Sequence, residues 1–200
     1  MVERLLHTIG RSWLPVNSGT IIVLLCVGVG WTMAAAKRAL PVRVVTWWLD
    51  CIVVPLLNNN SWWRRVLAIF VNNSLISVIM IAAGRWSISA WAAVVVVGLS
   101  LGIGLRVVRE RSRSMFRTAS LAEQYADRRM IVGVLLNGFE PPAIALTIGL
   151  CLAQSAMPTP VATSDLWLTF ALAVLPMLAI AACGEAMWLG VLVATRQDGE

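Results

Sequence analysis

Five windows of mostly apolar residues, each near the length a helix needs to cross a bilayer, dominate the chain. They cover residues 20–36, 66–84, 87–108, 131–153 and 167–194. A spanning helix takes about 20 such residues, and in hydrocarbon a helix satisfies its own backbone donors and acceptors. Composition agrees: 59% of the 200 residues are hydrophobic and only 13% are charged, against about a quarter charged in soluble domains. A soluble core of this size could not hide so much apolar surface. The expected fold is an all-α, multi-pass transmembrane helix bundle, with residues 1–200 as a single integral membrane domain.

A sixth segment, 44–57 (VVTWWLDCIVVPLL), is short and holds Asp50 and Pro55. It reads as re-entrant, interfacial or spanning. The pairs Trp47-Trp48 and Trp62-Trp63 suit the headgroup region, where an indole offers one apolar face and one donor. Ala34-Ala35-Ala36 resembles a signal-peptide cleavage site. Because 19 residues precede the first apolar run, a retained anchor is expected instead.

The basic residues set the orientation. Residues 109–130 form the longest polar stretch and carry Arg109, Arg111, Arg113, Arg117, Arg128 and Arg129, whereas 154–166 has no Lys or Arg. The positive-inside rule puts 109–130 in the cytoplasm as a basic loop. Arg64, Arg65 and Arg196 follow it inside; the side of the N-terminus depends on whether 44–57 crosses. Within that loop, Ser120 and Glu123 have capping-box spacing, ahead of a stripe of Leu121, Ala122, Tyr125 and Ala126. A short amphipathic helix on the membrane surface or a solvated loop helix would both fit. A net charge of +6 and a pI near 10.1 can suggest nucleic acid. Here the Arg residues lie between apolar runs, so anionic lipid headgroups are the expected partner and nucleic acid is not.

Little in the chain can do chemistry. Cys26, Cys51, Cys151 and Cys183 lie in apolar stretches without C-x-x-C spacing, and His7 is the one histidine. A bis-His haem within one chain is therefore excluded, and neither a metal nor a cofactor is expected. Gly98-x-Ser100-x-Gly102 matches the nucleophile-elbow pattern, but that elbow needs a strand–turn–helix and a His partner. Gly98 and Gly102 read better as a small-x-x-x-small pair for close helix packing. No enzyme is expected.

The informative residues are polar groups inside the apolar windows. A charged side chain there costs roughly 2.5–3.5 kcal/mol on insertion scales. Glu140 lies nine residues from the cytoplasmic start of its window, and Glu185 nine from the cytoplasmic end of the next. At 1.5 Å per residue both sit about 13 Å from the inner boundary. Asn72, Asn73 and Asn137 lie six or seven residues into their windows. Together these five side chains form a polar layer. It reads either as a proton or ion relay or a pocket for a polar substrate group, or as an interhelical hydrogen-bond cluster with neutral carboxyls. Pro141 and Pro142 follow Glu140, so residues 137–142 (NGFEPP) are expected to break the helix at membrane depth.

In the order of these features the chain resembles the stage II sporulation protein M family of small integral membrane proteins. Over most of 20–194, an N-terminal span precedes a helix with early asparagines, Val71-Asn72-Asn73. A Gly-rich helix follows, Gly98-Leu99-Ser100-Leu101-Gly102, then Glu140-Pro141-Pro142-Ala143 and a last helix with Glu185. Where the family often has His-Gly in the spacing H-G-x-x-E, this chain has Leu136 and Asn137, with Asn137-Gly138 offset by one residue. The resemblance implies a non-enzymatic scaffold or assembly subunit in a bacterial inner-membrane complex, with a membrane-protein partner or a second copy. The alternative is a small proton- or ion-coupled transporter or channel subunit built on Glu140 and Glu185.

Overall fold

The computed structural model describes residues 2–36, 39–53, 55, 61–115, 128–155 and 161–197, with the side chains of 13–14, 52–53, 108–109, 111–115, 128–130 and 188–197 left aside. Among the described residues every regular element is helical. The elements are α1 (Val2–Met33), α2 (Leu40–Trp48), α3 (Trp62–Ala83), α4 (Ser87–Met115), α5 (Arg128–Asn137), α6 (Glu140–Ala153), α7 (Thr163–Thr169) and α8 (Leu175–Gln197). Five helical stretches are long and apolar enough to cross a membrane: Pro15–Met33, Trp62–Ala83, Ser87–Val107, Ile131–Ala153 and Thr163–Met187. The protein is an all-α, multi-pass helical bundle, and its composition is that of an integral membrane protein.

The helices overrun the apolar windows at several ends. The first window opens at residue 20, but α1 is already helical at Val2 and passes through Pro15. Its first half is held by contact, with Thr8 and Ser12 buried and each hydroxyl donating to the carbonyl one turn back, Arg4 at 2.9 Å and Thr8 at 2.8 Å. The stretch expected as the loop 109–130 is shorter than that, because α4 continues to Met115 and α5 begins at Arg128. Arg109, Arg111 and Arg113 thus stand on α4, and Arg128 and Arg129 open α5. Arg117 and the Ser120–Glu123 capping box lie outside the described residues.

Proline marks the irregular turns. A proline ring collides with the carbonyl four residues back and supplies no N–H. Cys51, four before Pro55, lies in a widened π-type turn at Leu49–Val53. Leu172, four before Pro176, lies in a second one at Phe170–Val174, between α7 and α8. Such wide turns relieve the collision, and at Phe170–Val174 the helix continues directly into α8.

Contacts fix the topology. The α3–α4 hairpin turns at Gly84–Trp86, where Ser89 Oγ donates back to the Trp86 carbonyl at 2.9 Å. The far end of α6 meets the same turn, with Ser155 Oγ donating to the Gly84 carbonyl at 2.7 Å. The start of α3 and the end of α4 therefore share the opposite end of the bundle. The end of α1 is there too: Arg106 Nη1 donates to the Trp31 carbonyl at 2.9 Å, and Ala34, Val42 and Ile103 pack together. The chain leaves α1 and enters α3 at one end of the bundle, so the connection between them makes no net crossing; residues 54, 56 and 57 of the segment expected at 44–57 lie outside the described residues. Leu40, Val44 and Trp47, at helical spacing, are each more than half exposed on the outer stripe of α2. The end shared by α1, α3 and α4 carries Arg43, Arg64, Arg65 and Arg106 and is called the basic end below. Arg85 stands at the other.

Candidate functional site: a polar layer within the bundle

The break between α5 and α6 positions the site. α5 stops at Asn137, the chain turns through Gly138 and Phe139, and α6 starts at Glu140. Phe139 keeps φ −80° and ψ −15°, so the turn stays right-handed and bends the path without reversing it. The break thus falls at 138–139, just ahead of the prolines, and Pro141 and Pro142 sit inside the first turn of α6. That is where a missing N–H costs least. A helix start normally exposes several unbonded amides. Here two of the first three helical positions have no N–H to expose, and Ala143 N already donates to the Phe139 carbonyl at 3.2 Å. The paired prolines make a helix start tolerable at membrane depth.

Glu140, placed at this start, faces α3. Asn73 Nδ2 donates to Glu140 Oε1 at 3.3 Å, and Asn72 Nδ2 donates to Asn73 Oδ1 at 3.1 Å. Three of the five expected layer residues are therefore linked in one chain across two helices. Glu185 lies near enough to Glu140 for the two carboxyls to repel each other when both are charged. Its position follows from Gly184, where a Cβ would run into the Gly133 carbonyl oxygen and the Asn137 amide nitrogen. α8 thus rests backbone to backbone on the end of α5, and the next residue is delivered beside the break. Asn137 is at the same level, but its Oδ1 is buried and accepts no hydrogen bond. The layer brings Asn72, Asn73, Glu140 and Glu185 together and leaves Asn137 beside them, unbonded.

The polar contact continues along α3 and α6 as a ladder that the sequence reading missed. Thr147 Oγ1 donates to the Ala143 carbonyl at 2.8 Å and lies 3.5 Å from Ser77 Oγ, the limit of a hydrogen bond. One rung further out, Gln154 Nε2 donates to the Ile81 carbonyl. Ser87 Oγ donates to the Ser155 carbonyl at 2.9 Å. Ser74 Oγ, one residue past Asn73, is buried and unbonded. Hydroxyls and amides inside apolar windows were the available signal, and Ser77, Thr147 and Gln154 carry it as plainly as Asn72 does. On the other side of the bundle, Gly98 and Gly102 pack directly on α1. A Cβ on Gly98 would meet Cys26 and Val23, and one on Gly102 would meet the Val27 carbonyl and the Trp31 amide.

Among the described residues, no three His, Cys, Asp or Glu side chains converge on a point that could hold a metal ion. No protein-family model, curated protein or solved structure matches this chain.

Proposed function

We propose that this chain is a non-enzymatic scaffold or assembly subunit of a bacterial inner-membrane complex, with its basic end in the cytoplasm. The observation that carries this reading is that the acid at the helix break is tied to the protein's own helices: Asn72 donates to Asn73, and Asn73 to Glu140. A carboxyl held this way contributes to fixing helix positions, at about 0.6 kcal/mol per hydrogen bond in membranes. The glycine contacts at Gly98, Gly102 and Gly184 support it, since backbones in contact resist the rocking that transport requires. The resemblance to the stage II sporulation protein M family, on Glu140-Pro141-Pro142-Ala143 and Gly98 to Gly102, points the same way.

The test is quantitative cross-linking in native membranes followed by affinity purification of the full chain. A partner, or a second copy, should be recovered in fixed stoichiometry. Recovery of monomer alone from replicate membranes would overturn the proposal.

A second reading has its own observation. The layer holds more acceptors than donors, since Asn137 Oδ1 is unbonded and Glu185 stands beside Glu140. A proton or a small cation would supply what is missing, as in a proton- or ion-coupled transporter or channel subunit. Glu140→Gln and Glu185→Gln would then each abolish a pH-dependent flux in liposomes. Equal flux in wild type and both variants removes this reading.

A further inference from the structure

Trp62 and Arg65 stand in the first two turns of α3, three residues apart and therefore on one face. That face packs on α8, where Val66 and Ile69 form a buried cluster with Ala182 and Ala186 and Trp62 lies against it. Arg65 is only 8% exposed. Its Nε is shut off from the surroundings and has no hydrogen-bond partner, and the same holds for Trp62 Nε1. The adjacent Trp63 and Arg64 are exposed. Burial of Arg65 is thus particular to its position and not a general property of this end.

Burying the Nε–H of a guanidinium and an indole N–H with nothing to accept from them is unfavourable. Two such donors on one helix face are the complement of an oxyanion. The depth selects a kind: Arg65 lies about 4.5 Å along the axis from the first residue of α3, the level of lipid headgroups. The α3 N-terminus adds amide donors and the positive end of the helix dipole. Exposed Arg64 adds charge at the same end. On the facing element, the described acid of α8 nearest this level is Glu185, and it makes no hydrogen bond or ion pair with Arg65. Basic pockets between transmembrane helices at this level suit phosphate headgroups.

We infer that Trp62 and Arg65 form a binding site for a phosphate oxyanion, of the kind an anionic phospholipid headgroup carries, at the basic end between α3 and α8. This site is separate from the polar layer and does not depend on the proposed function.

The full chain in zwitterionic detergent provides the test, with phosphatidylglycerol, phosphatidylcholine and inorganic phosphate as probes and the thermal unfolding midpoint as readout. Phosphatidylglycerol should raise the midpoint of the wild type in a saturable way, because a ligand of the folded state stabilises it by mass action. Trp62→Phe and Arg65→Lys should each weaken the apparent affinity about tenfold, the effect of losing one charge-assisted hydrogen bond. Arg64→Gln should stay within about twofold of wild type, as expected of an exposed cation. Protection by inorganic phosphate as well would assign the site to free phosphate, and protection by phosphatidylglycerol alone would assign it to lipid. Equal affinities in wild type, Trp62→Phe and Arg65→Lys would overturn the inference. Because Trp62→Phe keeps an aromatic ring in the cluster, the test stands even if Arg65→Lys fails to fold.

Discussion

The bundle contains two parallel helix pairs, α1 with α4 and α3 with α6, and along most of their length they are joined by different means. α1 and α4 meet backbone to backbone. A Cβ on Gly30 would strike the Leu99 carbonyl, and one on Gly102 the Val27 carbonyl. Between the ends their contact is apolar, with Val23 and Val94 among the buried residues and Val27 and Val97 packed against them. α3 and α6 meet mainly through side chains that hydrogen-bond in rungs, from Asn73 and Glu140 out to Gly84 and Ser155, with a backbone contact at the end, where a Cβ on Gly84 would strike the Cys151 carbonyl. Close approach gains dispersion over a whole surface, whereas each membrane hydrogen bond adds little, because the separated helices also find partners. The plainer interface should therefore be the more sensitive one, and the polar interface should specify register more than it contributes strength.

The largest effect should come from Gly102→Leu. The obstruction is backbone on a neighbouring helix, so no rotamer relieves it, and about 3 kcal/mol or more of unfolding free energy in mixed micelles should be lost. A loss under about 1 kcal/mol would break the contrast between the two pairs. Gly104→Ala is the matched control. Nothing lies within 4 Å of the added Cβ, so stability should stay within about 0.5 kcal/mol of wild type.

Next comes Glu140→Leu. It strands the Asn73 amide, and reversible unfolding should show a loss of about 1–2 kcal/mol. Glu140→Gln keeps an acceptor toward Asn73, so it should cost less than half as much. Equal losses would mean that charge, and not the hydrogen bond, matters at this position. A double-mutant cycle between Asn73→Ala and Glu140→Leu, each of which removes the hydrogen bond, should then return a coupling of about 0.6 kcal/mol. The smallest effect belongs to Ser77→Ala, at under about 0.5 kcal/mol, since Thr147 keeps its bond to the Ala143 carbonyl. A cost above 1 kcal/mol there would show that the outer rungs carry more than the layer itself.

Much of this was legible in the residues. The apolar windows located all five membrane-length stretches. Pro141 and Pro142 announced the break, and the small-x-x-x-small pair marked Gly98 and Gly102 for close packing. Equal spacing along consecutive windows is the signal that set Glu140 and Glu185 side by side as candidates. The ladder of Ser77, Thr147, Gln154 and Ser155 escaped notice, because a hydroxyl or amide in an apolar run is common and only a facing partner gives it meaning. The widened turn at Phe170–Val174 was equally hidden: Pro176 could have kinked, ended or merely widened its helix.

The route of the segment after α1 makes the same point and has its own check. Cysteines placed at Ala36 and at Ser61 in a cysteine-free chain should react with an impermeant maleimide from one side of the membrane. Labelling from opposite sides would refute the one-end return of this segment.

By itself the sequence determined that the chain is a helical membrane bundle, because long apolar runs leave a bilayer-borne backbone no other way to satisfy its hydrogen bonds. It also set the depth of each polar group, since helical rise is constant. Only the tertiary structure decided which groups meet: that Asn73 reaches Glu140, that Asn137 Oδ1 stays unbonded, and that Arg65 is buried while Arg64 is not. Rise along a helix is a local property of the chain, but the rotation of one helix against another is fixed by where glycines let backbones touch.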